Sequence, residues 1–418
     1  MQVAASRTGQ RPLDDLVAEL FGGDRGLIAD PYPVYRRLRE ESPAHRYGPM
    51  VLVSRFDDVE AVFRDVERYS NVTQGSRTEA LMAELPAADR PLFAELTAFE
   101  AMFMSRLDDP EHTRLRRLAS RAFTPKRILA LRESIQSLTD AMLGGLVAAG
   151  TADFIDGLAY RLPLAVITEM LGVPAGDRDA IHEWSAAIGR YRSDITHLGD
   201  AHRSVGEFRR YVEGLVAARR REPGSDLLAA LLEAEEGDRL SEDELYAMFV
   251  LLLFAGHETT TNLIGNGLLD LLRHPGEWAR LCAEPQLVPN AVEELLRHDA
   301  PVQWIARMTA APVEVHGHEF GPGQTFLLML GSANRDHGRF AEADRLDLGR
   351  DDVRHLGFGF GVHFCLGAAL ARLEAQVVFE TLTTRHPDVT LAGAATWRPN
   401  TILRGVEALP LRFGSGRR

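Results

Sequence analysis

The feature that most constrains the fold is a long helical segment in the second half of the chain. Ser241 and Glu244 form a capping box, with Ser as the N-cap and Glu at the third helical position. An apolar run follows, from Leu245 to Ala255, and the helical pattern continues to Arg273. A helix over approximately residues 242–273 would rise roughly 50 Å, enough to cross a molecule of this size. The apolar run is too short to span a membrane, so the pattern predicts a buried core helix.

Polar residues interrupt this apolar helix in the segment Ala255-Gly-His-Glu-Thr-Thr-Thr261. Buried polar groups cost free energy unless they are hydrogen-bonded. Gly256 weakens the helix locally, and the Thr259 hydroxyl can bond to a carbonyl one turn earlier, so the two together can open a kink. Two interpretations stay open: a helix bend with internally satisfied hydroxyls, or a site that uses Glu258 and Thr259 chemically.

A second informative segment is the decapeptide 358–367, Phe-Gly-Phe-Gly-Val-His-Phe-Cys-Leu-Gly, which leads into a helix-forming stretch. A thiolate at Cys365 would lie at a helix N-terminus, where unpaired N–H groups favour negative charge. Gly361 and Gly367 let the backbone fold closely around the sulfur. An anionic sulfur ligand to iron needs these features. Two alternatives are weaker. One is a buried structural cysteine, which is the general expectation for a Cys outside such a pattern. The other is a zinc site, which would need more ligands than Cys282 and Cys365.

The spacing Phe-x-x-Gly-x-x-x-Cys-x-Gly resembles the haem-ligand loop of the cytochrome P450 monooxygenases, with Cys365 as the axial ligand of haem b. The segment that begins at Ala255 is similar to the oxygen-activating motif of the same family. The resemblance implies that Ala255 and Gly256 leave room beside the iron. It also implies that Glu258 and Thr259 deliver the protons needed to cleave O2.

The resemblance assigns further residues to haem binding. Glu-x-x-Arg at i, i+3 on one helix face can form a pair, and it resembles a buried pair of the family that has a third arginine partner in a later loop. That structural, haem-seating network is Glu294, Arg297 and Arg345. The haem contacts that the resemblance implies, several of them to the propionates, are His112, Arg116, Arg307, Phe358, Gly361, His363 and Gly367.

Helical periodicity dominates the chain, and short strand-like runs occur in three regions, at approximately residues 50–70, 305–330 and 390–415. No internal repeat and no linker divides the sequence. We therefore expect a single domain over residues 1–418, mainly α with small β-sheets. The resemblance implies the triangular-prism fold of the family.

The formal net charge of −13 argues against nucleic acid as a partner, since phosphate binding needs concentrated positive charge. The N-terminal residues include no membrane-length apolar segment, so no membrane anchor is expected. Two cysteines do not form a disulfide framework, which favours a cytoplasmic location; a monomer is expected. One basic run, between Arg114 and Arg127, is either a solvated helix face or a docking patch for an acidic electron-transfer protein.

The resemblance implies a soluble bacterial enzyme of secondary metabolism. It would hydroxylate or epoxidise a hydrophobic small molecule, such as a polyketide or terpenoid, with electrons from a ferredoxin and a ferredoxin reductase. One alternative is a peroxygenase driven by hydrogen peroxide, although such members tend to lack the pair that Glu258 and Thr259 form. Another, from a different class, is a non-catalytic haem-binding or gas-sensing protein.

Candidate substrate-pocket residues follow from the segments that vary in the family. They are largely apolar, as a hydrophobic substrate requires, and segment 71–107 is expected to be a mobile lid. The main candidates are Met82, Phe99, Met102, Phe103, Trp184, Phe249, Val302, Trp304, Ile305 and Ile402, with Ile188 and Tyr191 beside them.

Overall fold

The computed structural model describes residues 11–73, 81–121, 123–193, 195–222, 224, 226–232 and 240–414. Helices dominate this part of the chain. They are α1 (Leu13–Phe21), α2 (Arg25–Ala29), α3 (Tyr32–Glu41), α4 (Phe56–Arg64), α5 (Arg90–Ala101), α6 (Glu111–Ser120), α7 (Pro125–Ala130), α8 (Arg132–Ala149), α9 (Arg161–Met170), α10 (Arg178–Ser193), α11 (Leu198–Arg221), α12 (Leu227–Leu232), α13 (Glu242–Arg273), α14 (Pro275–Ala283), α15 (Val288–His298), α16 (Leu330–Ala333) and α17 (Ala368–Arg385).

The strands are short, and all but two fall in the predicted regions: one strand precedes the first region and another lies near residue 150. They are β1 (Ala44–Tyr47), β2 (Met50–Val53), β3 (Tyr69–Ser70), β4 (Thr151–Asp153), β5 (Ile305–Thr309), β6 (Val313–Val315), β7 (His318–Phe320), β8 (Thr325–Leu328), β9 (Thr390–Leu391), β10 (Thr396–Trp397), β11 (Val406–Ala408) and β12 (Pro410–Arg412). A mainly helical fold with small sheets is thereby confirmed.

The long helix α13 begins and ends where the sequence pattern predicts. Its capping box forms in both directions: Glu244 N donates to Ser241 Oγ at 3.2 Å, and Ser241 N donates to Glu244 Oε2 at 2.8 Å. The helix is long and apolar enough to cross a membrane, but 72% of its most apolar window is buried inside the protein. A buried core helix passes the same test of length and composition, so α13 is weak evidence for a membrane span.

The chain divides into two compact units. Unit 1 comprises residues 1–70, 129–162 and 259–418, and unit 2 comprises residues 71–128 and 163–258. The division falls inside α13, between Glu258 and Thr259. Neither unit is one continuous segment, because each combines stretches that are far apart in sequence. The expectation of a single domain stays a prediction.

The largest sheet lies in unit 1, with strand order β1-β2-β8-β5-β3. Strands β2 and β8, distant in sequence, pair in parallel, and Leu52 lies opposite Leu327. Successive side chains of a strand point to opposite faces. Accordingly Val51 and Val53 pack in one buried apolar cluster and Leu52 in another. Strands β2 and β8 are therefore covered on both sides, which explains why these two are nearly continuous apolar runs.

Candidate active site

Cys365 lies in a tight loop between a 3₁₀ turn, Gly361–His363, and the start of α17 at Ala368. Its side chain is half-buried. Its backbone N–H donates to Phe358 O at 2.9 Å, which closes the loop on itself. Gly359 and Gly361 have φ of +70° and +73°, in the left-handed region that favours glycine. The glycines are needed because the loop turns back on itself around the cysteine.

Helix α4 packs against this loop, a contact that no sequence motif indicates. A Cβ added at Gly361 would lie 3.1 Å from Phe63 O, so a larger residue would push the loop away from α4. The Arg64 guanidinium lies 4.6 Å from the centroid of the Phe360 ring. The loop is therefore supported by the end of α4 as well as by its own backbone.

The donor set of the loop fits a thiolate ligand to haem iron. A sulfur at a helix N-terminus in a glycine-rich turn is stabilised as an anion. Among the described residues, no group of three or more His, Cys, Asp or Glu side chains could hold a metal ion. A single cysteine ligand suits a macrocycle that supplies its own nitrogen donors.

The middle of α13 exposes one face. Ala255 is exposed, Glu258 and Thr259 are half-buried, and His257 is buried at 3% exposure. Residues at i, i+3 and i+4 share a helix face, so Ala255, Glu258 and Thr259 lie together. The His257 Nδ1 lies 2.9 Å from Leu253 O, on its own helix. His257 is thus directed away from the face that carries the carboxylate and the hydroxyl.

Gly256 has a packing reason that the sequence did not reveal. A Cβ at this position would lie 3.0 Å from Ile167 Cγ1 of α9. Real Cβ atoms rarely come so close to a neighbour, so Gly256 lets α9 approach α13 within unit 2. Room beside the iron, the role that the resemblance implies, stays a prediction.

Glu294 and Arg297 form a fully buried ion pair on α15, each with 0% side-chain exposure. Arg297 Nε and Nη2 donate to the Glu294 carboxylate at 2.7 and 2.8 Å. Arg297 also donates to the carbonyls of Asn334, Ala343 and Arg345, at 2.9, 2.8 and 3.1 Å. This bidentate geometry fixes the segment that leads to the Cys365 loop.

The third member of this network corrects the sequence-based assignment. Arg345 contributes its backbone carbonyl, while its side chain is 55% exposed and pairs with Glu342 at 2.9 Å. The second guanidinium on Glu294 is Arg350, whose Nε lies 3.2 Å from Glu294 Oε2. The Arg350 side chain is only 11% exposed. The sequence offers both arginines in one irregular segment, and only tertiary packing selects the one that points inward.

The predicted propionate contacts are distributed over both units. In unit 2, His112 on α6 is 2% exposed, with Nδ1 3.7 Å from Asp109 Oδ1. Burial lowers the pKa of His112, and the nearby Arg116 guanidinium acts in the same direction. In unit 1, Arg307 on β5 is buried and lies 5.4 Å from the Phe63 ring centroid, and His363 ends the 3₁₀ turn before Cys365. Their convergence on haem stays a prediction.

A small pocket lies inside unit 2, between α5, α10, α11 and α13. Four predicted substrate-pocket residues line it: Phe99, Phe103, Ile188 and Tyr191. Phe99 and Phe103 meet edge to face, with ring centroids 5.5 Å apart. Glu100 is the charged residue in this lining, and its carboxylate pairs with Arg106 at 2.6 Å. The free volume of the pocket, about 10 Å³, is room for about one water molecule, so contact of this lining with a larger ligand stays a prediction.

Other pocket candidates pack into apolar clusters. Trp184 stacks on Phe208 with ring centroids 5.3 Å apart, and Phe249 meets Phe208 at 6.0 Å. Each of the remaining candidates packs at or against an apolar cluster or lies beside the α5 end: Met82, Met102, Val302, Trp304, Ile305 and Ile402. The structure gives these residues packing roles, and their contact with substrate stays a prediction.

The basic run of α6 and α7 is only partly available to a partner. Arg114 pairs with Glu244 of α13, both in unit 2, and so is engaged within the protein. Arg117, Arg121, Lys126 and Arg127 are exposed. These exposed members keep the docking interpretation open.

Comparisons with known proteins agree with this geometry. A model of the family described as Cytochrome P450 matches residues 193–386. The chain is 40% identical over 423 residues to the cytochrome P450 monooxygenase PikC of Streptomyces venezuelae, covering 98% of this chain and 96% of that protein. It is also 40% identical to the vitamin D(3) 25-hydroxylase of Pseudonocardia autotrophica, over 95% of this chain and 96% of the relative.

Solved structures show the same similarity in three dimensions. The structure of PksS, the cytochrome P450 of the bacillaene polyketide synthase of Bacillus subtilis, covers 94% of this chain and 99% of its own. Its TM-score is 0.84 at 36% identity.

Proposed function

This chain belongs to the cytochrome P450 family and is a cytochrome P450 monooxygenase, and from that premise we propose that it inserts one atom of O2 into a hydrophobic natural product by hydroxylation or epoxidation. The observation that carries the proposal is the position of Cys365, in a glycine-rich loop directly before the start of α17. When bound at Cys365, haem b supplies the iron at which O2 is activated. Cys365 would hold that iron as a thiolate ligand, which is the ligand type that favours O–O cleavage.

Glu258 and Thr259 hold and move protons in this proposal. The Thr259 hydroxyl both donates and accepts hydrogen bonds, and the Glu258 carboxylate beside it passes protons from solvent. Their position on the same helix face as the exposed Ala255 supports this role. Arg116 and Arg307 would balance the charge of the two haem propionates, because buried carboxylates require cationic partners, and His112 and His363 would donate hydrogen bonds to them.

The Glu294–Arg297 pair, with Arg350, seats the haem indirectly. It binds the backbone between Asn334 and Arg345, and the Cys365 loop follows that stretch in the chain. Loss of the pair would therefore loosen the segment from which the ligand loop extends. We assign it to folding and haem retention, not to the chemical step.

The proposed substrate is a polyketide, a terpenoid or a related product of secondary metabolism. The apolar side chains around Phe99 and Phe103 would suit a hydrophobic molecule if this part of unit 2 opens to admit one. The names of the relatives are consistent with it, since one acts in a polyketide synthase system and another is a vitamin D(3) 25-hydroxylase.

Electrons would come one at a time from a ferredoxin, itself reduced by a ferredoxin reductase. The exposed Arg117, Arg121, Lys126 and Arg127 suit an acidic partner, which charge would steer to this surface. We further propose that the protein is a cytoplasmic monomer with a single domain.

Measurements of turnover distinguish this proposal from two alternative functions. A peroxygenase would form product with hydrogen peroxide but not with O2 and a reductase system. A gas-sensing haem protein would consume no electrons above background with any ligand. The pair Glu258–Thr259 favours the monooxygenase over both.

The test begins with the ferrous–CO spectrum of the purified holoprotein. We expect the red-shifted Soret band of thiolate ligation, and its loss in Cys365→His. Cys282→Ser is the matched control, since Cys282 lies on α14 and should leave the band unchanged. A wild-type protein without the band, or a Cys365→His variant that keeps it, overturns the haem-thiolate assignment.

Substrate class is tested by Soret titration of the ferric protein with macrolides, terpenoids, fatty acids and aromatic amino acids. A shift from low to high spin with a macrolide or terpenoid, followed by oxygenated product with ferredoxin and reductase, is the expected result. A shift with fatty acids alone would contradict the proposed class. No shift with any free compound would direct the search to substrates attached to a carrier protein.

A further inference from the structure

Beside the Glu294 network lies a second cluster in unit 1, formed by Glu293, His355 and Arg372. Arg372 on α17 donates from Nε and Nη2 to the Glu293 carboxylate at 2.6 and 2.8 Å. His355 Nε2 lies 3.2 Å from Glu293 Oε2. The His355 side chain is 3% exposed, that of Glu293 22% and that of Arg372 31%. This bidentate pair is partly buried, so it is screened less by solvent than a surface pair.

Glu293 is ionised in this cluster. Burial alone would raise the pKa of its carboxyl, but the hydrogen bonds from Arg372 and His355 outweigh burial and lower the pKa to about 2. The carboxylate and the Arg372 guanidinium therefore balance each other in charge.

The hydrogen bonds define the tautomer of His355. Gly357 N donates to His355 Nδ1 at 2.9 Å, so Nδ1 is the accepting nitrogen. The ring proton of the neutral imidazole is then on Nε2, which donates to Glu293. His355 thus links the Glu293 carboxylate to the backbone one residue before Phe358.

Arg372 and His355 also contact the Phe358 ring. The Arg372 guanidinium carbon lies 4.6 Å from the ring centroid, and the His355 ring centroid lies 5.8 Å from it. Phe358 O in turn accepts the backbone N–H of Cys365 at 2.9 Å. A continuous path of direct contacts therefore runs from Glu293 to the backbone of the ligand residue.

We propose that Glu293, His355 and Arg372 form a positioning network that holds Phe358, and through it the Cys365 loop, and that their balanced charges contribute to the reduction potential of the bound haem. The proposal rests on the haem-thiolate function proposed above. It is distinct from the Glu294 network, because Glu293 and Glu294 are about 100° apart around α15. Glu294 binds the segment from Asp347 to Arg350, whereas Glu293 binds α17 and the start of the ligand loop.

The charge part of the proposal predicts shifts of opposite sign. Glu293→Gln leaves the Arg372 cation uncompensated, which favours the added electron and makes the midpoint potential less negative. Arg372→Gln leaves the Glu293 anion uncompensated and makes it more negative. We expect each to change the ferric/ferrous equilibrium about three- to tenfold, tenfold being about 59 mV for a one-electron couple. The double variant removes both charges, so its ferric/ferrous equilibrium constant should return to within about twofold of the wild-type value.

The positional part predicts a different signature. Arg372→Lys keeps the charge but loses the planar fork and the stacking on Phe358. Its ferric/ferrous equilibrium constant should stay within about twofold of the wild-type value. Its ferrous–CO complex should lose the band of thiolate ligation several times faster than the wild-type complex. This variant also decides the question if Arg372→Gln fails to retain haem.

The experiment combines potentiometry and ferrous–CO spectra of the holoproteins. Arg385→Gln is the control, because Arg385 lies on the same helix and pairs with Asp140 at 2.9 Å, away from the loop. Opposite shifts in the single variants, their cancellation in the double variant and an unchanged control support the proposal. Reduced haem content with unchanged potential and unchanged band stability would overturn it, as a merely structural role predicts. A wild-type protein that lacks the thiolate band would instead overturn the proposed function, and the inference with it.

Discussion

Replacing Arg297 by alanine perturbs the most deeply buried charge pair that the structure describes in α15. The substitution leaves Glu294 with the Nε of Arg350, at 3.2 Å, and the backbone N–H of Asp347, at 3.0 Å. It also removes the donor to three carbonyls, of which Asn334 O and Ala343 O bond to Nη1 at 2.9 and 2.8 Å. The buried Glu294 carboxylate would thus lose both of the hydrogen bonds that Arg297 donates to it.

The magnitude follows from burial. Breaking a buried pair by removing one partner destabilises a protein by about 3–5 kcal/mol when the remaining charge is uncompensated, and because Arg350 still faces Glu294, the lower end of that range is expected. Arg350→Ala removes the longer contact to Glu294 and bonds to loop carbonyls, including Ala341 O at 2.7 Å, so about 1.5–3 kcal/mol is expected. Arg345→Ala removes an exposed side chain and keeps the carbonyl that Arg297 uses, so little change is expected.

The assay is the urea midpoint of each holoprotein, followed by far-UV circular dichroism and by the Soret band, together with haem content per chain. The expected order of damage is Arg297→Ala, then Arg350→Ala, then Arg345→Ala. Arg297→Lys, which keeps the charge but not the fork, provides a folded intermediate if the alanine variant does not accumulate. Equal damage from Arg345→Ala and Arg297→Ala, or a normal midpoint and full haem in Arg297→Ala, would refute the reasoning.

Further predictions concern the chemical step, the pocket, acid stability and the redox partner. Thr259→Ala should uncouple the enzyme, so that reductant is consumed and released as peroxide; Thr261→Ala, on the same helix, is the control, and unchanged product per electron in Thr259→Ala would exclude the proton role. Phe103→Ala should weaken the Soret-titrated affinity for a hydrophobic substrate at least severalfold and broaden the product profile, and an unchanged profile would place the substrate elsewhere. Because the pKa of Glu293 is lowered on folding, its contribution to stability is present above the ordinary carboxyl pKa of about 4.5 and is lost as pH falls towards 2; the difference in unfolding midpoint between wild type and Glu293→Gln should shrink over that window, and a pH-independent difference would contradict it. Lys126→Glu should slow reduction by an acidic ferredoxin at low salt more than at high salt, and a rate insensitive to both would remove α7 from the docking surface.

Local signals explain why so much of the architecture was predictable. The capping box at Ser241 and the apolar periodicity after it define α13 to the residue. The glycine pattern around Cys365 predicts a turn followed by a helix, and the structure has a 3₁₀ turn and then α17. Both patterns act within a few residues of the chain, where backbone sterics and hydrogen bonding decide the outcome.

Local sequence patterns do not show which of several residues of the same type in an irregular segment is buried. Arg345 and Arg350 differ by five positions, and nothing in their flanking sequence states which side chain points inward. Trp184 and Phe103 are both large aromatic residues, yet Trp184 stacks on Phe208 whereas Phe103 lines the pocket. Such choices depend on which distant element packs opposite, which a single sequence does not contain.

Local patterns in the sequence are enough to predict a cysteine in a glycine-rich loop, an acid and an alcohol on a buried helix, and a helical chain with small sheets. Tertiary packing settles which residues surround these groups. It placed α4 against the Cys365 loop, selected Arg350 for the Glu294 network, and joined Glu293, His355 and Arg372 behind Phe358. Sequence motifs involve residues that are close together along the chain, whereas charge pairing and packing join residues that are far apart in it.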